Sequence, residues 1–332
     1  MTFEDRVQAL EPLGVTPRQA RFLVTVALHS GYCLRRQYVA FAGIRYGKNV
    51  RDFLDALVER QLAERFTCRP DRGHIYHVHA RAIYRALKQD ENRNRREASA
   101  ALIARKIMVL DYVLAHAEVD WYATEQDKVE LFADRFGVPL SDLPQRVFAA
   151  AQSGGATTTR YFMHKLPICV AGDPPVVYFL YLVTDHSGRG FEQFLHDYTG
   201  LFRGLPAWTI VAVGPPNVQG LTACEPVFAR YLQQPPSSVT NASDDLRWYF
   251  DTRVSVERGE LAQLSVMEID RFRTLREQFS AAVFETVYRE WKHQGDRALP
   301  AQRACPVRSV GRLVTEVLTF DYSQFGSLPG VA

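Results

Sequence analysis

The stretch of sequence that decides the fold lies at residues 48–79 and reads KNVRDFLDALVERQLAERFTCRPDRGHIYHVH. Apolar residues recur at helical spacing in its first third and predict a helix over about 48–60: Val50, Phe53, Leu54 and Leu57. Residues 62–68 and 74–79 are typical of two strands, because they flank a turn that contains proline and glycine. The stretch therefore predicts a helix followed by a hairpin whose loop, 69–73, is basic.

Two further helices are predicted before this stretch. Thr16 and Pro17 are typical of a helix start, and Gly31 follows the end of the apolar pattern, so we expect a helix over about 16–30. A short second helix is expected at about 34–42. Three helices followed by a hairpin are the order of a winged helix-turn-helix, whose third helix enters the major groove of DNA.

The distribution of charge supports a polyanionic partner for this part of the chain. The protein has 332 residues, of which 47% are hydrophobic and 23% are charged, and its net charge is +3. Residues 1–110 contain 20 Lys and Arg against 11 Asp and Glu, so the N-terminal part carries +9 and the remainder −6. Basic surfaces bind DNA because each neutralised phosphate releases counterions. Scattered, solvated arginine side chains are the alternative explanation.

Nine residues are candidate DNA-binding positions. The first group opens the third helix or precedes it, where arginine can pair with guanine and asparagine with adenine: Arg45, Lys48, Asn49 and Arg51. The second group opens the second helix or flanks the hairpin loop, where it would contact phosphates: Arg35, Arg36, Gln37, Arg69 and Arg72. Asp52 and Asp55 lie close by and would repel phosphate if they faced DNA. A merely solvated polar surface is the alternative.

The rest of the chain predicts a second, α/β domain. Apolar runs at 176–183 and 208–213 flank a helical pattern around 191–202, which indicates a sheet covered by helices. A helical tail is expected over about 244–294. We therefore predict an α+β chain with three parts: a winged-helix DNA-binding domain at 1–90, a helical connector at 91–155, and an α/β domain with C-terminal helices at 156–332 that serves dimerisation or regulation. The run at 89–96 is typical of a polar, charged linker.

Four residues could form a nuclease site in the second domain: Lys165, Asp185, Glu192 and His196. A metal-dependent nuclease needs acidic groups on neighbouring strands and a lysine that positions water. Asp185 follows an apolar run, but the strand itself, FLYLV at 179–183, has neither an acid nor a lysine. The phosphate-loop, dinucleotide-binding and serine-hydrolase motifs are absent. We expect a protein that is not an enzyme and has no metal or cofactor.

The histidines of the hairpin permit a metal site but favour packing. His77 and His79 would project from one face of the second strand, with His74 nearby. Cys68 is the one potential ligand at a useful spacing, so packing within the strand or contact with phosphate is the favoured interpretation.

The sequence indicates neither export nor membrane insertion. Residues 1–6, MTFEDR, are acidic where a signal peptide would be basic, and no run approaches the ~18 apolar residues of a membrane helix. The five cysteines are single, which disfavours a disulfide framework. We expect a cytoplasmic protein without membrane contact.

Several of these segments resemble a known family. The runs LHSGYCLRRQY at 28–38 and LVERQL at 57–62, with the histidine-bearing strand, resemble replication-relaxation-like winged-helix proteins of mobile elements. The segments at 178–185 and 208–213 are similar to that family's C-terminal region, which resembles a restriction-endonuclease-like core. The family pattern would place an acidic residue near Tyr181, where this chain has an aromatic one. The resemblance implies a plasmid or an integrative element as context.

These observations favour a sequence-specific protein that binds double-stranded DNA as a homodimer and regulates transcription of a mobile genetic element. A dimer would read two half-sites about one helical turn apart. One alternative is a metal-dependent nuclease or nicking accessory of plasmid replication or transfer. A second alternative is a module that docks an acidic protein and has no affinity for DNA.

Overall fold

The computed structural model describes residues 1–67, 73–148, 158–184, 188–216, 218–233, 239–259, 264–279, 282–299, 309–322 and 325. The protein is a mixed α+β chain, and it divides into two compact units. Unit 1 contains 1–146, 160–228 and 309–332, and unit 2 contains 147–159 and 229–308. Unit 1 thus combines the N-terminal helices with the larger sheet. None of the helices in the described part of the chain is long and apolar enough to cross a membrane.

The N-terminal part of unit 1 alternates helices with short strands. Its elements are α1 Phe3–Gln8, α2 Pro17–His29, β1 Tyr32–Leu34, α3 Arg35–Ala42, α4 Lys48–Glu59, β2 Ala63–Thr67, β3 His74–Val78 and α5 Arg81–Ala86. The three predicted helices and the two predicted strands are therefore present, with ends that differ by about a residue. The strand β1 was not predicted. It adds to the hairpin, so that an antiparallel sheet forms in the order β1-β3-β2.

The N-terminal helices pack around an aromatic core. Thr16 caps α2 and exchanges hydrogen bonds with Gln19, as the sequence predicts for a helix start. The ring of Tyr38 on α3 lies 5.0 Å from Phe22 on α2 and 4.5 Å from Phe53 on α4. Because the apolar stripe of α4 is buried in this core, the opposite side of the helix faces solvent.

The predicted linker at 89–96 is instead anchored to the N-terminal core. The side chain of Asn94 donates to the carbonyls of Ala27 and Leu28, both at 3.0 Å, and so satisfies the C-terminal end of α2. Lys106 donates to Asn94 Oδ1 at 2.6 Å and to Ser30 O at 2.8 Å. The run predicted as a polar linker therefore contains an asparagine that supplies internal hydrogen bonds.

The larger sheet of unit 1 follows. Its elements and those around it are α6 Ala100–Ala115, β4 Trp121–Tyr122, α7 Glu125–Glu130, β5 Gln145–Phe148, β6 Thr158–Tyr161, β7 Ile168–Ala171, β8 Val176–Leu182, α8 Arg189–Asp197, α9 Thr199–Gly204, β9 Ala207–Gly214, α10 Gly220–Gln233 and β10 Val310–Val317. The sheet has the order β10-β9-β8-β7-β4, whereas β5 and β6 pair separately. The strands β8, β9 and β10 are parallel, and β7 is antiparallel to both of its neighbours.

Helices cover both faces of this sheet, as the apolar strands predict. On one face, Leu182 and Val213 belong to the same buried cluster as Ile107 of α6. On the other face, Phe179 lies 5.1 Å from Phe202 of α9, and Tyr181 lies 5.0 Å from Phe194 of α8. The alternation of side chains along β8 explains why consecutive apolar residues are all buried.

Unit 2 contains the predicted helical tail. Its helices are α11 Val239–Glu257, α12 Val266–Gln278 and α13 Ala282–Gln294. Phe250 and Tyr288 pack together with a ring distance of 5.0 Å, and Arg253 forms a two-pronged ion pair with Glu285 at 2.7 and 3.1 Å.

Candidate nucleic-acid interface

The exposed N-terminal turn of α4 gathers most of the first group of candidate residues. Lys48, Asn49 and Arg51 are exposed there, and Arg45 is exposed in the preceding turn. Within the described part of the chain, the side chains of Arg45, Lys48 and Arg51 form no ion pair, so their charges are available to an external anion. The amides at the start of α4 add a partial positive charge at the same place.

A network of hydrogen bonds fixes the turn before α4 to the hairpin. Arg35 donates from Nε to the Tyr76 hydroxyl at 2.8 Å and from a terminal nitrogen to the Tyr46 hydroxyl at 3.0 Å. Asp55 lies 3.8 Å from Arg35 and 3.3 Å from Arg65. The predicted repulsion from Asp55 is therefore offset by two guanidinium groups, whereas Asp52 remains exposed.

Tyr46 is a surface residue that the sequence did not single out. Its side chain is 57% exposed in the turn between Arg45 and Lys48. Because the Tyr46 oxygen accepts from Arg35, its own hydrogen is directed away from that arginine and can be donated to a phosphate. Exposed aromatic residues in a basic turn are the signal that could have identified it.

The side chains of Arg36 and Gln37 form hydrogen bonds within the protein. Arg36 donates two hydrogen bonds to Asp111 at 2.6 and 2.7 Å and stacks on Phe320 at 3.7 Å. Gln37 is 1% exposed; its amide nitrogen donates to Asp111 at 2.9 Å and to Ile107 O at 3.1 Å. These two residues fasten α3 to α6, so we place neither in the candidate interface. Arg69 and Arg72 lie outside the described residues.

The hairpin histidines do not form a metal site among the described residues. His77 stacks on Tyr32 with a ring distance of 4.1 Å, and its Nε2 lies 3.1 Å from Asn94 O. Burial lowers the pKa of His77 to about 4, so the ring is neutral at physiological pH. No group of three or more His, Cys, Asp or Glu suited to a metal occurs in the part of the chain that the structure describes.

The nuclease candidates are not assembled by the described residues. Asp185 lies outside them, while Glu192 and His196 are exposed on α8. Lys165 lies in a turn, and burial lowers its pKa. The position where an acid would be expected on β8 is occupied by Tyr181, which packs against α8 and is 8% exposed.

Comparison with known proteins adds no relative. No protein-family model matches the chain, and no curated protein or solved structure matches it either.

Proposed function

We propose that residues 17–78 form a winged helix that binds double-stranded DNA, with the N-terminal turn of α4 in the major groove. The observation that carries this proposal is a set of exposed residues at the start of α4 and in the turn before it: Arg45, Lys48, Asn49 and Arg51. The buried face of α4 packs in the aromatic core, which holds the helix in place. Arginine and asparagine at this end of a helix can read base edges, whereas Lys48 and Tyr46 are suited to phosphate.

The order of the strands supports this assignment. One strand precedes α3 and a hairpin follows α4, and these strands form a small antiparallel sheet in the order β1-β3-β2. The network from Arg35 to Asp55 and Tyr46 ties this sheet to the turn before α4. Fixing that turn holds the contacting residues in one arrangement before DNA binds, which lowers the entropic cost of binding.

We further propose that the larger sheet is a restriction-endonuclease-like core that is retained for its shape. The position of each strand across the sheet follows its order in the chain, from β4 to β10, and β5 and β6 lie outside the sheet. The strand β7 is antiparallel to β8, and helices cover both faces. Since β8 is apolar throughout, this sheet is proposed as a platform and not as a nuclease. Transcriptional control of a mobile element is the proposed role of the chain.

A fluorescence-polarisation titration tests the proposal. The full chain is titrated against a 30-base-pair duplex of random sequence and against DNA from its own promoter, at two salt concentrations with magnesium present, and the DNA is then examined on a gel. We expect promoter-preferring binding that weakens as salt rises, with intact DNA. Absence of binding would support a protein-docking module, and cut DNA would support the nuclease alternative.

Matched variants locate the interface. Arg51→Ala is expected to weaken promoter binding about 10-fold or more, because a base contact by arginine contributes about 1–3 kcal/mol. The control Arg230→Ala removes the same charge from an exposed position on α10 and is expected to change affinity less than about twofold. Equal losses in the two variants would contradict binding through α4.

A further inference from the structure

The strand β10 lies at one edge of the larger sheet, as the described strands define it. It pairs with β9 along one side for eight residues, and no other described strand pairs with its outer side. Three of its valines are largely exposed: Val310 at 50%, Val314 at 42% and Val317 at 62%. Protein edges are normally protected by proline, a bulge, a short length or charged side chains. Strand β10 contains no proline and keeps an unbroken register with β9, and its two charged residues are Arg312 and Glu316.

The backbone of β10 can accept a further strand. The Val310 amide donates to Pro206 O at 3.0 Å, and the Leu318 amide donates to Gly214 O at 2.8 Å. In a strand, both polar groups of one residue point to the same side and the sides alternate, so even-numbered residues face β9. The odd-numbered residues therefore direct their N–H and C=O groups outward: Gly311, Leu313, Thr315 and Val317.

The side chains of β10 complement those of a second copy of the same strand. Arg312 and Glu316 share one face of the strand and lie two residues on either side of Val314. When two copies pair antiparallel about Val314, each Arg312 lies opposite the partner's Glu316, and the two Val314 side chains meet. Opposite charges directly across a strand pair stabilise it, and like charges destabilise it.

The same register satisfies the backbone. It places Leu313 opposite the partner's Thr315, and both of these residues direct their polar groups outward. They form a hydrogen-bonded pair, whereas Arg312, Val314 and Glu316 occupy non-hydrogen-bonded pairs, where facing side chains are closest. One register thus pairs opposite charges, brings the two Val314 side chains together and satisfies the outward backbone groups.

We propose that β10 is the interface between two copies of this chain, which join their larger sheets by antiparallel pairing about a two-fold axis at Val314. The contact uses the same surface on both copies and closes at a dimer, so it does not propagate into fibres. It covers the exposed valines of both edges. The proposal stands on β10 alone and is independent of DNA binding.

Cysteine cross-linking tests the register. In a background where Cys68 and Cys305 are serine, Val314→Cys places two thiols across a non-hydrogen-bonded pair, with Cα atoms about 4.5 Å apart, which suits a disulfide. We expect oxidation to yield mainly cross-linked dimer on a non-reducing gel. The matched control Val310→Cys places the two thiols about 27 Å apart and is expected to stay uncross-linked. Cross-linking at 310 but not at 314, or equally at both, would overturn the proposal.

A charge swap tests the complementarity. Sedimentation equilibrium of the full chain is expected to give a dimer whose Kd rises about 10-fold or more in Arg312→Glu, because two attractive pairs become repulsive. The double variant with Glu316→Arg restores opposite charges and is expected to return the Kd to within about threefold of the original. This recovery would also establish that neither substitution unfolds the chain. A wild-type chain that stays monomeric, or a folded double variant that does not recover, overturns the proposal.

Discussion

Replacing Asp111 by alanine is expected to destabilise unit 1 strongly without changing the turn that is proposed to bind DNA. The Asp111 carboxylate accepts four hydrogen bonds: two from Arg36, one from Gln37 at 2.9 Å and one from the Tyr322 hydroxyl at 2.7 Å. Its side chain is 7% exposed, so water cannot replace these donors readily. Burial, and then the Asp111 charge, raise the pKa of Tyr322, which keeps that hydroxyl protonated as a donor.

The magnitude follows from these contacts. Removing one member of a buried ion pair costs about 3–5 kcal/mol, and the partial exposure of Arg36 places Asp111→Ala near the lower end of this range. For a unit of this size, each kcal/mol lowers Tm by about 2–4 °C, so we expect a fall of roughly 6–14 °C. The double variant with Arg36→Ala should lose less than the sum of the two single losses, because the side chains share one interaction.

Calorimetry and DNA titration together check this prediction. Arg36→Ala is expected to lower Tm while its promoter affinity, measured well below Tm, stays within about twofold of the original. Arg51→Ala is expected to weaken promoter binding and to leave Tm unchanged. An Asp111→Ala protein with unchanged Tm, or an Arg36→Ala protein of normal Tm that has lost DNA affinity, would refute the internal role of Arg36.

Three further variants or conditions give clear expectations. Gly31→Ala should cost about 2–4 kcal/mol in denaturant unfolding, since Gly31 has φ +78° and an added Cβ would collide with the backbone of Asn94; a loss below half of this would contradict that contact. Burial lowers the pKa of His29 to about 3 and of His77 to about 4, so the unfolded chain takes up protons first as the pH falls below 6.5. The free energy of unfolding should therefore decrease from about pH 6.5 to pH 4, by about 1.4 kcal/mol per pH unit for each histidine. His77→Phe should remove about half of this slope. A flat stability profile between pH 7 and 5 would refute the prediction. Asp52→Asn should raise DNA affinity about two- to fivefold at low salt in the polarisation assay, because it removes an exposed negative charge beside Arg51, and reduced affinity would place Asp52 among the contacting groups.

The sequence predicts the elements that are long and periodic. The helices α2, α3 and α4 and the strands β2, β3, β8 and β9 carry patterns several residues long, and local periodicity is sufficient to detect them. The strands β1 and β4 have three and two residues, too few for any alternation to register. Pro226 lies inside α10 and interrupts the helical pattern that would have identified it.

The sequence predicts a candidate contact residue correctly as exposed only where the side chain has no partner elsewhere in the described fold. Arg45, Lys48 and Arg51 were identified from their place at the start of a helix. Arg35, Arg36 and Gln37 are adjacent in sequence but have different roles, because each has different tertiary partners. Asp111, for example, lies 75 residues from Arg36, and the local sequence does not reveal such a pairing. Asn94 shows the same limit, because a polar run is read as solvated until its hydrogen-bond partners are known.

Photo-cross-linking from the two ends of α4 tests the central claim most directly. Lys48 and Glu59 both lie on the exposed side of this helix, one in its first turn and the other in its last. Each is replaced by benzoylphenylalanine, and the full chain is irradiated with labelled promoter duplex. DNA binding through the N-terminal turn of α4 predicts a cross-link from position 48 and none from position 59. Equal cross-linking from both positions, or from position 59 alone, would contradict it.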